Sequence, residues 1–587
     1  MTMTGAAELG TIALDGARKT RGNQTRTRIR VLMLFIAAAL VLIVGKLVTL
    51  GGTDTTANIE GRALDEITAT RPAILDRNGI EMAVDIRVPS LYAEPNRMVD
   101  KPGAIAAILS VLPDLDENVL RERLNRDKGF VWIDRELTPA QKDDILRLGI
   151  PGLDFVTESR RFYPGGTEAS HIMGMVNIDN KGTAGIEARL DRDNVALLQD
   201  LGFARDRELS PVSLSIDMRV QHALRDQLED ALSRYQAVSA AGVIIDVHTA
   251  EILAMVSLPD FDPNAPTSFS EDWLDKKNQR FNRITLGRYE LGSTFKTITF
   301  AAALDSGAVK LTDSFDARFG IRFGKYLIDD FHGKHRVLQV PEIYKYSSNV
   351  GTIKMMQTLG SENYRAFLTR MGFDDPLKVE LPETIVSVIP EKFSEVGAAT
   401  ASFGHGLSVT PLHMAQAVAA LVNGGILKPA TLYPRTSAEA DAIGTRVVSQ
   451  ETSARMRYLL RLNALEGSGT HANKLADGYR VGGKTGTAEK VENGQYVADR
   501  NLNVFASAFP VDDPHYAMVI LVDEPKPENQ QSGVTAGWNA GEVTGRVIAR
   551  VAPMLGIRPD FAATVDAALV PPELGRPVVT TDKDSTF

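Results

Sequence analysis

The chain of 587 residues contains no cysteine, and beyond residue 50 it has fewer basic than acidic side chains. Disulfides therefore cannot stabilise it, although this absence does not decide its compartment, because a large hydrophobic core needs no disulfides. Residues 1–50 carry seven basic and two acidic side chains within a total charge of −9, which leaves −14 for the remainder. Such a remainder is unsuited to nucleic acid, whose phosphates require clustered cations.

Internal repeats at solenoid periods are also absent, and the composition is not that of a disordered polymer. Hydrophobic residues make up 44% of the chain and charged residues 24%. This length and composition predict two or three domains, and many short apolar runs among the glycines and prolines indicate mixed helix and sheet. Only the C-terminal residues 566–587 are predicted to form a flexible tail.

One long apolar run, residues 31–50, follows a basic segment, residues 1–30, and contains Lys46 as its only charge. About 20 apolar residues suffice for a helix to cross a bilayer. We therefore predict a single transmembrane anchor, with residues 1–30 in the cytoplasm and the rest of the chain outside it. A cleaved signal peptide is the alternative. The apolar region of a signal peptide is shorter than a membrane-spanning helix, and the uncharged stretch before Lys46 is compatible with either.

Residues 51–210 contain short strands, turns and helices. Asn78-Gly79 lies between alternating apolar runs, which is typical of a tight hairpin turn. No cluster of potential catalytic or metal-binding side chains stands out in this segment. It is therefore predicted to be a scaffold or spacer rather than an enzyme domain.

Residues 211–565 have longer and more regular elements. Val220, Leu224, Leu228 and Leu232 recur every four residues, which predicts an amphipathic helix. "AAGVIIDVHTAEILAMVSL" reads as two strands around a polar turn, and "AGEVTGRVIARVAPML" reads as a closing helix. Two such helices flanking antiparallel strands, with a helical insert from about 280 to 440, predict one α+β domain with two lobes.

The stretch "ELGSTFKTITF" places Ser293 three residues before Lys296. At this spacing both side chains lie on one face of a helix, within reach of a hydrogen bond. A serine hydroxyl becomes a good nucleophile when a base takes its proton, and lysine is such a base only when it is neutral. Burial beside Phe295, Ile298 and Phe300 would lower the pKa of Lys296 and so favour the neutral amine. The alternative is a surface helix start, with Ser293 as N-cap and Lys296 in solvent.

Two further motifs follow, Ser347-Ser348-Asn349 and Lys484-Thr485-Gly486-Thr487. The second is part of "GYRVGGKT", which formally satisfies the phosphate-loop pattern, but its surroundings have strand and turn character and no helix is predicted after it. Ser-x-Asn begins 54 residues after Ser293, and Lys-Thr-Gly begins 137 residues after Ser347. This order matches the three-motif set of penicillin-recognising serine acyltransferases.

Nearly the whole chain resembles the class B penicillin-binding proteins, and among them the septal FtsI-type transpeptidases. The resemblance is carried by "RPAILDRNG" from Arg71, "RFYPGG", "GTAGIE", "SLSIDMRVQ", "NRITLGRYELGSTFK", "GHGLSVTPLHMAQAVAALVNGG" and "GKTGTAEK". The chain departs from the family at Leu291, where relatives have proline, at Pro72, where they have glycine, and at "TAGWNAGEVTGRV". None of these departures removes a reactive group.

The resemblance implies a D,D-transpeptidase that crosslinks stem peptides through an acyl-enzyme. It also implies that residues 51–210 form an elongated pedestal or dimerisation-type domain and residues 211–565 the transpeptidase domain. Ser293 would attack the carbonyl between the two terminal D-alanines, Lys296 would accept its proton, and Ser347 would relay a proton to the leaving amine. Asn349 would hold the peptide backbone and help fix Lys296. The remaining implied substrate-binding residues are Lys484, Thr485, Gly486 and Thr487, and the backbone N–H groups of Ser293 and Thr487 would form the oxyanion hole.

The resemblance also implies partners and a location. The substrates would be lipid-linked nascent glycan with its stem peptides, β-lactams would acylate Ser293, and membrane glycosyltransferases and other division proteins would be partners. The catalytic domain would lie in the periplasm of a bacterium, anchored to the inner membrane. Neither a cofactor nor a metal is implied.

Several alternatives remain open at this stage. They are a side-wall elongation transpeptidase, a D,D-carboxypeptidase, a β-lactamase or β-lactam sensor, and a non-catalytic division scaffold. A bifunctional enzyme is disfavoured, because residues 51–210 lack the acidic pair that a glycosyltransferase domain requires. His405 and His248 have no carboxylate or second histidine at ligand spacing and are predicted to be structural. Arg71 and Glu187 are expected to join the scaffold to the catalytic domain.

Overall fold

The computed structural model describes residues 71–192, 210–265, 278–492 and 495–575, together with residues 33, 34, 36–38, 40 and 41, which are helical. The basic segment 1–30 and the other residues of the predicted anchor lie outside the described residues. Within the described ranges, no helix combines the length and apolar composition needed to cross a membrane.

The strands and helices are numbered in chain order. The strands are β1 (Ile74–Leu75), β2 (Glu81–Ala93), β3 (Val131–Asp134), β4 (Leu153–Phe162), β5 (Met175–Val176), β6 (Gly182–Ala184), β7 (Val212–Ser213), β8 (Ser239–Asp246), β9 (Ile252–Leu258), β10 (Ser314–Asp316), β11 (Ile321–Phe323), β12 (Tyr326–Ile328), β13 (Val337–Gln339), β14 (Ile426–Leu427), β15 (Thr445–Arg446), β16 (Gly482–Glu492), β17 (Gln495–Phe509) and β18 (Tyr516–Asp523). The helices are α1 (Lys101–Val111), α2 (Glu117–Asn125), α3 (Pro139–Arg147), α4 (Ser170–Met173), α5 (Gly185–Arg192), α6 (Met218–Arg234), α7 (Lys296–Asp305), α8 (Val340–Lys345), α9 (Asn349–Leu359), α10 (Ser361–Arg370), α11 (Glu395–Ala401), α12 (Pro411–Val422), α13 (Ser437–Ile443), α14 (Gln450–Glu466), α15 (Thr470–Leu475), α16 (Ala540–Met554) and α17 (Ala563–Ala568).

The described chain divides into two compact units, of which the smaller comprises residues 88–158. Its helices α1, α2 and α3 each begin at a side chain that caps the first turn, Asp100, Asp116 and Thr138 respectively. Thr138 forms a capping box with Gln141, which satisfies two backbone N–H groups that a helix start otherwise leaves unpaired. These caps stabilise three short helices, of which α2 and α3 are largely polar. Their apolar faces share one core with the paired strands β2 and β3.

The larger unit comprises the described residues from 71–87 and from 159 onwards, and is built on an antiparallel sheet of order β16-β17-β18-β8-β9. Strand β8 is buried along nearly its whole length, which explains its unbroken run of small and apolar residues. Helices α6 and α16 pack together on one face of the sheet, through side chains that include Leu224, Leu228 and Val547. Helix α12 packs on the other face and joins the helical lobe. The predicted α+β fold, with helices flanking an antiparallel sheet, is confirmed.

Residues 71–87 and 159–192 belong to this larger unit rather than to the smaller one. An ion cluster binds these segments together. The Nε of Arg71 lies 2.8 Å from Glu187 Oε2, and the Nε of Arg161 lies 2.6 Å from Glu187 Oε1. Arg161 also contacts Asp85 at 3.0 Å. Arg71 and Glu187 are therefore in direct contact, and both hold elements within one unit.

The C-terminal region is ordered further than the sequence indicates. Residues 566–575, predicted to be part of a flexible tail, contain the end of α17 and a short 3-10 turn at Pro572–Leu574. Asp566 and Glu573 pair with Arg461 and Arg455 of α14, which fixes this segment against that helix. Residues 576–587 lie outside the described residues.

Candidate active site

Ser293 lies in a 3-10 turn, Gly292–Phe295, that runs directly into α7. Helix α7 begins at Lys296 rather than at the serine. Because residues i and i+3 eclipse in a 3-10 helix, Ser293 and Lys296 still lie on one edge of the turn. The side chain of Ser293 caps neither helix, so the interpretation of this stretch as an ordinary surface N-cap is wrong.

The serine turn is held by backbone contacts that only glycine permits. A Cβ placed on Gly486 of β16 would lie 2.1 Å from the carbonyl oxygen of Leu291, and one on Gly404 would lie 2.1 Å from that of Gly292. Gly292 itself has a φ of +52°, a conformation that other residues rarely adopt. The turn is therefore fixed between the edge strand β16 and the loop that contains Gly404.

Lys296 is completely buried, with 0% of its surface exposed. Its Nζ donates hydrogen bonds to the carbonyl oxygen of Ser347, at 2.5 Å, and to the Ser347 Oγ, at 3.1 Å. Burial and, after it, the neighbouring charge of Lys484 lower the pKa of Lys296 well below its usual value, although Asp330 acts in the opposite direction. A lysine in solvent is thus excluded, and the neutral amine is favoured.

Lys484 lies on β16 and is also 0% exposed. Its Nζ donates to the Ser347 Oγ at 3.0 Å and to the carbonyl oxygen of Thr485 at 3.2 Å. Burial lowers the pKa of Lys484 to about 7. The Ser347 hydroxyl oxygen therefore accepts from two lysine amines and connects them.

Ser347 has an unusual backbone conformation, with a φ of +57°. It follows the C-terminus of α8, where its N–H donates to Tyr344 O and the N–H of Ser348 donates to Ile343 O. These two bonds form a Schellman motif, in which the left-handed position is usually glycine. A serine here costs backbone strain, and that strain places its hydroxyl between the two lysines.

The Ser293 hydroxyl is only partly buried. The spacing brings Ser293 and Lys296 within reach of each other, but none of the described residues forms a hydrogen bond with this hydroxyl, and the Lys296 Nζ donates to Ser347 instead. The hydroxyl is consequently open to an incoming group, while the amine one turn away is held in place.

Asn349 is the first residue of α9, and its side-chain amide donates to the carbonyl oxygen of Asp329 at 3.3 Å. Among the described residues it has no hydrogen bond with Lys296, so its predicted part in fixing that lysine has no counterpart here. Asp330 braces this region, since its carboxylate accepts from the Ser348 hydroxyl at 2.6 Å and from the Val350 N–H at 2.9 Å. Sequence reasoning missed Asp330, because no local pattern distinguishes it.

The threonines of the third motif already have polar contacts. Thr485 shares a short hydrogen bond with the Ser468 hydroxyl, and Thr487 Oγ1 accepts from the backbone N–H of Ala536 at 3.0 Å. Each hydroxyl keeps capacity for another partner, because a hydroxyl both donates and accepts. Gly486 lies between them, against the serine turn.

Helix α14 supports the motifs that carry Ser347 and Lys484. Its Asn463, which is fully buried, donates to the carbonyl oxygen of Gly483 at 2.7 Å, and its Glu466 pairs with Lys345 of α8 at 2.5 Å. These partners lie far apart in sequence, so no spacing rule could have identified them. The helix fixes one motif relative to the other.

Two other expectations can be compared with the structure. Lys484 and Thr485 lie within strand β16, which pairs with β17 and is not followed by a helix, so the phosphate-loop reading is wrong.

His405 Nδ1 lies 3.2 Å from Glu290 Oε2, and the ring centre of His248 lies 5.7 Å from that of His515. No larger group of metal-ligating side chains gathers within the described ranges.

The arrangement can perform acyl transfer. An accessible hydroxyl lies one turn from a buried amine whose pKa is lowered, and a second amine is linked to the first through a hydroxyl. A neutral amine can accept the serine proton, and the linking hydroxyl offers a path for returning a proton to a leaving group.

Comparisons with known proteins agree with this geometry. The family model of the penicillin binding protein transpeptidase domain matches residues 240–542, and that of the penicillin-binding protein dimerisation domain matches residues 66–193. The chain is 38% identical to the "Probable peptidoglycan D,D-transpeptidase FtsI" of Caulobacter vibrioides, covering 84% of this chain and 82% of the relative. It is 27% identical to the "Peptidoglycan D,D-transpeptidase FtsI" of Escherichia coli, covering 86% and 87%.

A solved structure shares the fold. The crystal structure of penicillin binding protein 3 from Mycobacterium tuberculosis, complexed with aztreonam, has a TM-score of 0.62 and 22% identity, covering 84% of this chain and 97% of that one. At this identity the likeness concerns the fold alone. The family matches and the relatives lead to one conclusion: the chain belongs to the penicillin-binding proteins, as a class B member of the FtsI type.

Proposed function

We propose that this protein is a monofunctional peptidoglycan D,D-transpeptidase that crosslinks stem peptides through an acyl-enzyme on Ser293, in septal wall synthesis during cell division. The observation that carries the proposal is the bridge of Lys296, Ser347 and Lys484, with Oγ to Nζ distances of 3.1 and 3.0 Å. The relatives named as peptidoglycan D,D-transpeptidases support the same reaction, and those named FtsI support the septal role over side-wall elongation.

Acylation begins when the Ser293 Oγ attacks the carbonyl carbon between the two terminal D-alanines. The neutral amine of Lys296 takes the hydroxyl proton as the new C–O bond forms. The tetrahedral intermediate then collapses, the C–N bond breaks, and the departing D-alanine amine receives a proton through the Ser347 hydroxyl. The backbone N–H groups of Ser293 and Thr487 stabilise the oxyanion, where each donor typically matters by about 10²- to 10³-fold in rate.

Substrate binding is assigned to the strand that carries Lys484. The donor peptide ends in a carboxylate, and a bound carboxylate favours the protonated form of a lysine whose pKa is about 7. The hydroxyls of Thr485 and Thr487 supply further donors, with Gly486 allowing close approach. Asn349, at the start of α9, holds the peptide backbone.

In the second half-reaction, the amine of a neighbouring stem peptide attacks the acyl-enzyme carbonyl, the ester bond to Ser293 breaks, and the serine regains its proton. β-Lactams mimic the donor and acylate the same serine. We place the enzyme at the bacterial inner membrane, anchored by residues 31–50 with its catalytic domain in the periplasm. There it would work with a membrane glycosyltransferase and other division proteins.

The test supplies purified full-length protein with uncrosslinked peptidoglycan and measures crosslinked muropeptide dimers by mass spectrometry. Wild type should form dimers, Ser293→Ala should form none, and Ser361→Ala, a serine at the start of α10, should behave as wild type. Release of D-alanine with only shortened monomers would indicate a carboxypeptidase instead. A Ser293→Ala protein that still supports division in cells would indicate a scaffold.

A further inference from the structure

Exposed aromatic and aliphatic side chains are concentrated on one short hairpin and the loop after it. Phe319 is 76% exposed and Phe331 81%, and this segment also exposes Tyr326, Leu327 and Val337. We call residues 318–337 the hairpin surface; it comprises β11 with the three residues before it, β12, and the loop that leads to the first residue of β13. Large exposed apolar clusters on soluble domains mark sites of interaction.

The same surface is basic, although the chain as a whole carries −9. Arg322, Lys325 and Lys334 are exposed, and none of them pairs with an acidic group among the described residues. Lys325 Nζ lies 5.2 Å from the ring centre of Tyr326, and Lys334 Nζ lies 4.8 Å from that of Tyr346. Positive charge is thus presented beside aromatic faces. Asp329 and Asp330 belong to the same surface, but among the described residues neither forms an ion pair with these three side chains.

The hairpin surface directly adjoins the second catalytic motif. Its Asp330 accepts from Ser348 and Val350, and the carbonyl oxygen of Asp329 accepts from the Asn349 side chain. Lys334 lies over Tyr346, the residue before Ser347. A ligand bound to the hairpin surface would therefore lie next to Asn349, the residue to which binding of the peptide backbone is assigned.

We propose that the hairpin surface binds the uncrosslinked glycan strand whose stem peptide enters the site. This inference rests on the proposed function, since it concerns the polymer that carries the same substrate. Sugar rings would stack on the exposed aromatic faces, and stem-peptide carboxylates would lie against Arg322, Lys325 and Lys334. Charge complementarity and continuity with Asn349 favour this occupant over a partner protein.

Binding is measured by fluorescence anisotropy, with full-length protein and labelled, soluble glycan strands that carry pentapeptide stems. The charge-reversal variant combines Lys325→Glu with Lys334→Glu. Its matched control combines Lys378→Glu with Lys392→Glu, two exposed lysines of the same unit that also have no acidic partner among the described residues. The hairpin variant should bind about tenfold more weakly at low salt, with the control within about twofold of wild type and the difference shrinking as salt is added.

A second pair tests the aromatic contribution without changing charge. Phe331→Ala should weaken strand binding by about fivefold, whereas Phe561→Ala, which removes an aromatic that is 70% exposed elsewhere, should not. Labelling by fluorescent penicillin reports whether Ser293 remains intact in each variant. The inference would be overturned if the hairpin variants and the controls bound strands equally. It would also be overturned if strand binding fell only in those variants whose penicillin labelling fell as well.

The two proposals fail in different ways. A wild-type protein that binds strands through the hairpin surface but forms no dimers would refute the transpeptidase function and leave the surface as a strand-binding site. A protein that forms dimers at wild-type rates while its hairpin variants bind strands normally would refute the inference alone.

Discussion

The buried amine of Lys484 makes the stability of the protein depend on pH in a defined direction. Burial lowers its pKa from 10.5 to about 7, so between these values the unfolded chain holds a proton that the folded protein lacks. The burial of Lys484 therefore costs no free energy of unfolding above pH 10.5, and this cost grows as the pH falls towards 7. Replacing the lysine by methionine, which keeps the stem but removes the amine, should abolish this dependence.

The size of the effect follows from the two pKa values. Each pH unit over which the unfolded chain holds one extra proton adds about 1.4 kcal/mol to the free energy of unfolding. Between pH 7 and 9, with half the folded molecules protonated at the start, wild type should gain about 2 kcal/mol relative to Lys484→Met. Removing the charge of Lys484 also raises the pKa of Lys296 in the variant. The variant then gains less stability with rising pH, which enlarges the gain of wild type relative to it.

Urea unfolding followed by circular dichroism, repeated from pH 6 to 9, measures the difference between wild type and Lys484→Met. Lys378→Met serves as the control, because that lysine is exposed and its replacement should leave the pH dependence unchanged. Parallel stability curves for wild type and Lys484→Met, or a wild type that loses stability relative to the variant as the pH rises, would refute the reasoning.

Substitutions at three other positions test particular contacts. Ser347→Gly should relieve the strain of a φ of +57° and be about 1 kcal/mol more stable than Ser347→Ala in thermal unfolding, while both lose activity. Arg161→Ala leaves Glu187 buried beside only one of its two arginine partners and should lower the free energy of unfolding by about 3–5 kcal/mol, measured by calorimetry. Gly404→Ala places a Cβ 2.1 Å from the carbonyl oxygen of Gly292 and should slow penicillin acylation by about 10²-fold in stopped-flow labelling.

The residues of the candidate site and the sheet could be predicted because their signals are local or ordered along the chain. Strands β8 and β9 appear as apolar runs around a polar turn, and helix α6 as a period of apolar residues with Asp217 before it. The three motifs are short, and their order alone restricts the reaction. Patterns of this kind are recognisable in the sequence because they reflect the burial of one face of an element or reactive groups that the chemistry requires.

Other features depend on contacts between distant segments and leave no local trace. The left-handed conformation of Ser347 arises because the end of α8 must place a hydroxyl where helix-ending glycine usually lies. The start of α7 at Lys296 follows from the packing of Gly292 and Gly486, not from a capping side chain. Similarly, the ion pairs of Glu187 draw residues 71–87 and 159–192 into the larger unit, which composition could not indicate.

The most direct test of the account is to locate the covalent adduct that benzylpenicillin forms. Full-length protein is treated with the drug, digested, and mapped by tandem mass spectrometry, with Ser293→Ala in parallel. The account predicts one penicilloyl group on the Ser293 hydroxyl and none in the variant. An adduct on any other residue, or one that persists in Ser293→Ala, would contradict it.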